Sequence, residues 1–267
     1  MGVRAQNGLL PGNMQAQPDN MTGNKAAPPA HAPDDAELIT AHDYDRWLAR
    51  NCFSARWARF WFAPSRTLWL NTPARRLVRM LPLKPADKVL DLGCGYAGML
   101  IYLSRQVRFT QTLEGLDCSL PMIERARKEI RSRGLEARIH VQQGRATQLP
   151  YPDGSFDVLF CTYVIKHLPD PLLREMLREV LRVLKPGGCF CLWEAAPSRY
   201  DFMQAWNMRL LRIGLSVVRL RSAEQVRAFL EAAGFVSLRP YGQGHCYYYY
   251  PPLLRTGFIA FRPKAAC

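Results

Sequence analysis

The stretch Val89-Leu90-Asp91-Leu92-Gly93-Cys94-Gly95-Tyr96-Ala97-Gly98 constrains this chain more than any other. A short apolar run containing an acid ends in glycines at alternate positions, and Met99 to Leu103 then open a helical pattern. Strand, tight turn and helix in that order begin a nucleotide-binding α/β unit. Gly93 and Gly95 allow the backbone to turn and to approach a ligand that a side chain would block. The helix that follows offers unpaired N–H groups at its start. Spacing alone leaves three readings. Gly93-x-Gly95-x-x-Gly98, with Asp117 about twenty residues further on, fits a dinucleotide fingerprint. Asp91, placed before the first glycine, would instead repel a pyrophosphate and attract a cationic ligand. The third reading is a glycine turn that serves chain geometry alone.

Two further segments decide between these. Gly144-Arg145-Ala146 leads through Thr147 and Gln148 into Leu149-Pro150-Tyr151-Pro152-Asp153-Gly154-Ser155-Phe156-Asp157. Leu184-Lys185-Pro186-Gly187-Gly188 turns from an amphipathic helix into an apolar strand. With Asp91, Gly93 and Gly95 these segments resemble the class I S-adenosylmethionine-dependent methyltransferases, in the right order and over roughly residues 75–262. Three positions depart from that pattern. Ala97 stands where a third glycine is usual, and Lys166 replaces the first of two histidines before Leu168-Pro169. Arg145 replaces the acid expected to meet the adenine amino group, and arginine has no acceptor to offer it.

The resemblance implies an α/β fold: a doubly wound, Rossmann-like sheet of seven mostly parallel strands with an antiparallel last strand, plus an N-terminal helical cap. It implies S-adenosylmethionine as cofactor and methyl transfer as the reaction. Cofactor contacts are then expected at Asp91, Gly93, Cys94, Gly95, Asp117, Cys118, Met122, Arg145, Ala146 and Cys161, with Asp117 accepting from the ribose hydroxyls. No catalytic residue is fixed. His167, Glu194 and His245 are candidate bases, needed only for a weakly nucleophilic acceptor. An NAD(P)-dependent oxidoreductase would explain the glycines and Asp117 but not Asp91 or the later segments. A non-catalytic protein that keeps the fold for binding is the other alternative, motivated by Arg145 and Ala97.

The remaining chain divides around this domain. Residues 1–35 are rich in Asn, Gln, Pro, Gly and Ala without periodicity and read as a disordered tail. Residues 36–81 read as a helical cap with Trp57, Phe60 and Trp61 on one face, and with Pro73 opening a helix to Met80. The domain proper then runs over 82–267, with an apolar lid helix at about 200–221. Strands are expected over 112–117, 137–142, 156–161 and 189–195. The last two, 235–240 and 256–262, form an antiparallel hairpin flanking Tyr247 to Tyr250. Cys189 and Cys191 are taken as facing opposite sides of their strand, and the cysteines as buried thiols, not a disulfide frame or a metal site.

The net charge of +14 admits nucleic acid, an anionic membrane surface or an acidic substrate. No Asn/Asp-Pro-Pro-aromatic motif follows strand four and no RNA-binding module is evident, which argues against nucleic acid. The expected acceptor is a small hydrophobic molecule: a lipid, a quinone precursor or a polyketide-like product. A cytoplasmic protein is expected, with peripheral membrane contact as one reading of the tryptophan- and arginine-rich cap. No obligate protein partner is evident.

Overall fold

A computed structural model describes residues 36–62, 64, 78, 80–211, 218–241, 244–246 and 253–264. The expected tail, most of the 73–80 helix and the four tyrosines lie outside the described residues. Two helices come first, α1 (Ala36–Ala49) and α2 (Phe53–Phe62). The domain follows as β1 (Val89–Leu92), α3 (Gly98–Gln106), β2 (Leu113–Asp117), α4 (Leu120–Arg131), β3 (Ile139–Gln143) and β4 (Phe156–Thr162). A 3-10 turn, Ile165–His167, leads to α5 (Asp170–Val183), β5 (Leu184–Ala195) and α6 (Asp201–Leu211). The chain closes with α7 (Ala223–Ala233), β6 (Val236–Pro240), β7 (Gly244–Cys246) and β8 (Leu253–Phe261).

Seven strands lie in the order β3-β2-β1-β4-β5-β8-β6. Strands β1 to β5 pair in parallel, and β8 runs antiparallel between β5 and β6. The expected fold class holds. One strand is added: β7 falls in the stretch read as a loop and pairs antiparallel with β8. The helix expected as a lid over about 200–221 is shorter than that span. It is described over Asp201–Leu211, and residues 218–221 are not helical.

Each face of the sheet carries its own core, because strand residues alternate sides. Leu159, Cys161, Phe190 and Leu192 face α5 and α7, where Met176, Val180, Val226 and Leu230 meet them. Val158, Phe160, Cys191 and Trp193 belong to the opposite core, with Leu100 and Leu103 of α3 and Ile123 and Ala126 of α4. Each fully buried large side chain contributes about 1.5–3 kcal/mol. Cys189 and Cys191 do not face opposite sides. Their Sγ atoms lie 3.6 Å apart, as residues two apart in a strand share one face. Of the expected aromatic face on α2, Phe60 is largely exposed, and the side chains of Trp57 and Trp61 lie outside the description.

Helix ends follow the sequence signals. Pro171 sits in the first turn of α5, and its buried stripe runs Leu172, Leu173, Met176, Leu177, Val180. Ser222 and Gln225 form the expected capping box, and Gly234 closes α7 at φ 98°. Two arginines then fasten loops to this frame. Arg182 of α5 donates to the carbonyls of Leu149 and Tyr151 and pairs with Asp153 and Glu179. Arg221, read from sequence as part of the lid, is buried instead. It donates to Ile165 O at 2.7 Å, Leu168 O at 2.6 Å and Asp170 Oδ1 at 2.7 Å.

Replacing Arg221 takes the guanidinium donor from Leu168 O, leaves Ile165 O with the Leu168 N–H alone, and opens the packed space around a buried guanidinium. Arg221→Ala is expected to cost about 2–3 kcal/mol, seen as a fall of roughly 5–10 °C in Tm. Arg131→Ala, on an exposed pair with Glu136, is expected to shift Tm by less than about 1 °C.

Candidate functional site

Parallel strands bring their C-terminal ends to one edge, and ligands of such sheets lie in the crevice there. Asp91, next to last in β1, and Asp117, last in β2, stand on adjacent strands at that edge. The turn after β1 is tied down from β2: the N–H groups of Gly93 and Cys94 both donate to Leu116 O, at 2.7 and 3.1 Å. Gly93 adopts φ 75°, and a Cβ there would come within 2.2 Å of Val164 Cγ2. Gly95 adopts φ 50°, and its Cβ would meet nothing within 4 Å. The second glycine thus faces open space. Ala97 takes the left-handed conformation of the missing glycine, at φ 60° and ψ 26°, and starts α3 with its methyl fully buried. The turn forms without a third glycine, at a strain of about 1 kcal/mol.

Asp117 Oδ2 accepts from Gly95 N–H at 2.9 Å, and Oδ1 accepts from Ser119 N–H at 3.0 Å. Burial nonetheless pushes its pKa up to about 6, against the pull of those two donors. Asp91 is 2% exposed, and its Oδ1 has no hydrogen-bond partner. Burial first, and the Asp117 charge second, push its pKa up to about 7. Cys94, Cys118 and Cys161 lie close enough to this pair to sense its charge, and burial raises all three thiols far above their ordinary value. They are apolar lining, not nucleophiles.

The first helix supplies what sequence reasoning missed. α1 lies over the crevice and brings two more carboxylates. Ser119, the N-cap of α4, accepts from Met122 N–H and donates its hydroxyl to Asp45 Oδ1. Glu37 is 6% exposed, and its Oε1 accepts from Ala146 N–H at 2.6 Å while Oε2 accepts from Thr147 Oγ1 at 3.1 Å. Burial raises the pKa of both acids. Met122 packs against Leu48 with Tyr44, Trp47 and Tyr96 around them, an apolar wall shared by α1 and α4. In the sequence α1 shows no functional pattern, so no signal placed Glu37 or Asp45 here. Arg145 is half-buried and close enough to Glu37 to stabilise its charge.

The candidate bases differ in setting. His167 is half-buried in the 3-10 turn after β4, its ring edge-on to Tyr44 of α1 with centroids 6.0 Å apart. Glu194 is buried and braces the turn after β4: Oε2 accepts from Lys166 N–H at 3.1 Å, and Lys166 Nζ lies 3.5 Å from Oε1. Burial lowers the pKa of Lys166, whose ammonium also donates to Tyr163 O. His245 is in β7, its backbone opposite Leu254, and its side chain lies outside the description. Beside the turn, Tyr96 also lines a cavity of about 480 Å³ with Arg56, Arg59, Phe60 and Arg125.

A basic chain has therefore gathered four carboxylates, Glu37, Asp45, Asp91 and Asp117, around one crevice. Such a site suits a cation that also carries hydroxyl groups to donate. S-adenosylmethionine, with its ammonium, sulfonium and ribose diol, fits this set, and Gly95 leaves its path clear.

Comparison with known proteins agrees. Residues 89–188 match the family described as Methyltransferase domain. The 27-O-demethylrifamycin SV methyltransferase of Amycolatopsis mediterranei is 33% identical over 161 residues, 60% of this chain and 57% of that protein. The demethylmenaquinone methyltransferase of Lactobacillus johnsonii is 37% identical over 114 residues, 43% of this chain and 46% of that protein. The chain thus spans about half the length of these curated relatives. Among solved structures, the YcgJ protein of Bacillus subtilis superposes with a TM-score of 0.61 at 20% identity, over 73% of this chain and 99% of that one. The [4+2]-cyclase SpnF superposes at 0.59 and 22% identity, over 72% of this chain and 80% of that one. At those identities the likeness is one of fold.

The two buried acids set a pH dependence. In the folded, ligand-free protein Asp91 and Asp117 keep protons that the unfolded chain releases near 3.8. Folded stability from this pair is therefore lost as pH rises from about 4 through 7. Asp91→Asn is expected to raise the ligand-free Tm at pH 8 and to leave it unchanged near pH 4, read by thermal unfolding at both.

Proposed function

We propose that this chain, whose residues 89–188 form a methyltransferase domain of the class I S-adenosylmethionine-dependent kind, transfers a methyl group to a small apolar acceptor. The observation that carries this reading is the buried, unpartnered Asp91 beside Asp117 at the glycine turn. S-adenosylmethionine supplies a sulfonium-bound methyl that is already electrophilic. Asp91 would hold the ammonium end, where its loss of water is offset by a cation. Asp117 would accept from the ribose hydroxyls while keeping its bonds to Gly95 and Ser119. Met122, Cys118 and Ala146 would line the base, and Gly93, Cys94, Gly95 and Cys161 would let it approach.

The remaining task for the protein is orientation. Placing the attacking atom in line at about 3 Å supplies most of the acceleration such a reaction needs. His167 is the favoured proton acceptor among the candidates, because it is half-buried in the 3-10 turn that follows β4. Glu194 is already committed to the Lys166 turn.

Three observations support an apolar acceptor that carries oxygen. The relatives are named for a menaquinone precursor and a rifamycin. The cavity beside Tyr96 joins aromatic walls to arginines. Near the end of β5 and the start of β8, Trp193 Nε1 and Arg255 Nε and Nη1 are buried donors without acceptors. Contact with a membrane surface is consistent with the exposed Phe53 and Phe60 near Arg56. No helix among the described residues is long and apolar enough to cross a membrane.

Calorimetric titration with S-adenosylmethionine and S-adenosylhomocysteine tests the cofactor. Micromolar binding of both is expected, lost in Asp117→Ala and weakened at least tenfold in Gly95→Ala, whose added methyl enters the crevice. Binding of NADH with no binding of either ligand would sink the reading. Labelled-methyl transfer to a panel of quinols, phenols and lipids then tests the acceptor, and transfer to nucleic acid alone would overturn the apolar assignment.

A further inference from the structure

The resemblance to class I methyltransferases implies that the cofactor's ribose meets the acid at the end of β2 and that its adenine lies against the loop after the next strand outward. Here that strand is β3, and the loop after it holds Gly144, Arg145, Ala146 and Thr147. A purine amino group needs an acceptor in that loop. Arg145 has none, yet a carboxylate is present. It arrives from a helix 109 residues earlier: Glu37 accepts from Ala146 N–H and from Thr147 Oγ1. Its charge is felt by Asp117, which places it on the same crevice as the ribose acid. A carboxylate offers about four acceptor positions, and the bonds from Ala146 N–H, Thr147 Oγ1 and Thr147 N–H leave one of them for a further donor. A group that lost its water on burial gains from a donor there.

We propose that Glu37 reads the exocyclic amino group of the cofactor's adenine, taking the place of an acid at position 145. This rests on the cofactor reading above. It makes α1 part of the cofactor site and not only a cover. Arg145 then has a role of its own, as a nearby cation that favours the charged form of Glu37 against the burial that raises its pKa.

The test is calorimetry on the full chain with S-adenosylhomocysteine and with S-inosylhomocysteine, in which a 6-oxo group replaces the amino group. The parent protein is expected to prefer the amino ligand by at least about tenfold. Glu37→Ala is expected to lose about tenfold for S-adenosylhomocysteine and to bind the two ligands alike. Glu37→Gln preserves shape and offers an amide N–H, so its preference should shift toward the 6-oxo ligand. That shift carries the test even if the alanine variant fails to fold. Asp117→Ala should weaken both ligands equally. Unchanged or tighter binding of S-adenosylhomocysteine by Glu37→Ala would overturn the proposal, the tighter case marking Glu37 as a barrier to the base. An undiminished preference in both Glu37 variants would overturn it as well. Failure of the parent to bind either ligand would instead refute the cofactor reading, and this one with it.

Discussion

A carboxylate held out of water without a cation costs several kcal/mol, and the crevice holds two side by side. Asp91 and Asp117 end neighbouring parallel strands, so the sheet register that stabilises the core also fixes their separation. Neither can move away without unpairing β1 from β2. The turn between β1 and α3 is hung from β2 by two hydrogen bonds to a single carbonyl, that of Leu116. The placing of the two acids and the pairing of the sheet are thus one arrangement.

The fold was legible because its signals are local. Alternating apolar residues set the strands, glycines set the turns, and Ser222 with Gln225 set a helix start. The most diagnostic stretch, Leu149 to Asp157, proves to be largely structural. Arg182 gathers its carbonyls onto α5, Glu179 accepts from Leu149 N–H, and Asp157 accepts from Lys88 N–H and pairs with Lys185. A segment can identify a fold by how it is fastened to its neighbours. Ala97 carries a related lesson: the expected glycine is absent, but its backbone conformation is present, because the packed methyl tolerates the left-handed turn.

What the sequence hid is long-range. Glu37 and Asp45 sit on a helix with no motif, and their partners lie in loops far along the chain. Only the tertiary fold places a carboxylate of α1 on the loop that holds Arg145. Arg221 was hidden in the same way. It lies in an apolar, arginine-rich stretch that reads as a cover, yet its guanidinium holds the carbonyls of the loop beside the crevice. Charge patterns along a chain do not distinguish an arginine that faces water from one that organises a loop.

The place of β8 bears on how the protein is made. β8 lies between β5 and β6, and its residues Phe258, Ile259 and Ala260 are buried. During vectorial synthesis β6 leaves the ribosome before the strand that joins it to the sheet. Until β8 emerges, the β5 edge is an open apolar ladder, of the kind that recruits other chains. The nascent domain therefore passes through a stage in which its cofactor half is assembled and its far edge is adhesive, and a chaperone that shields β5 would act at that stage.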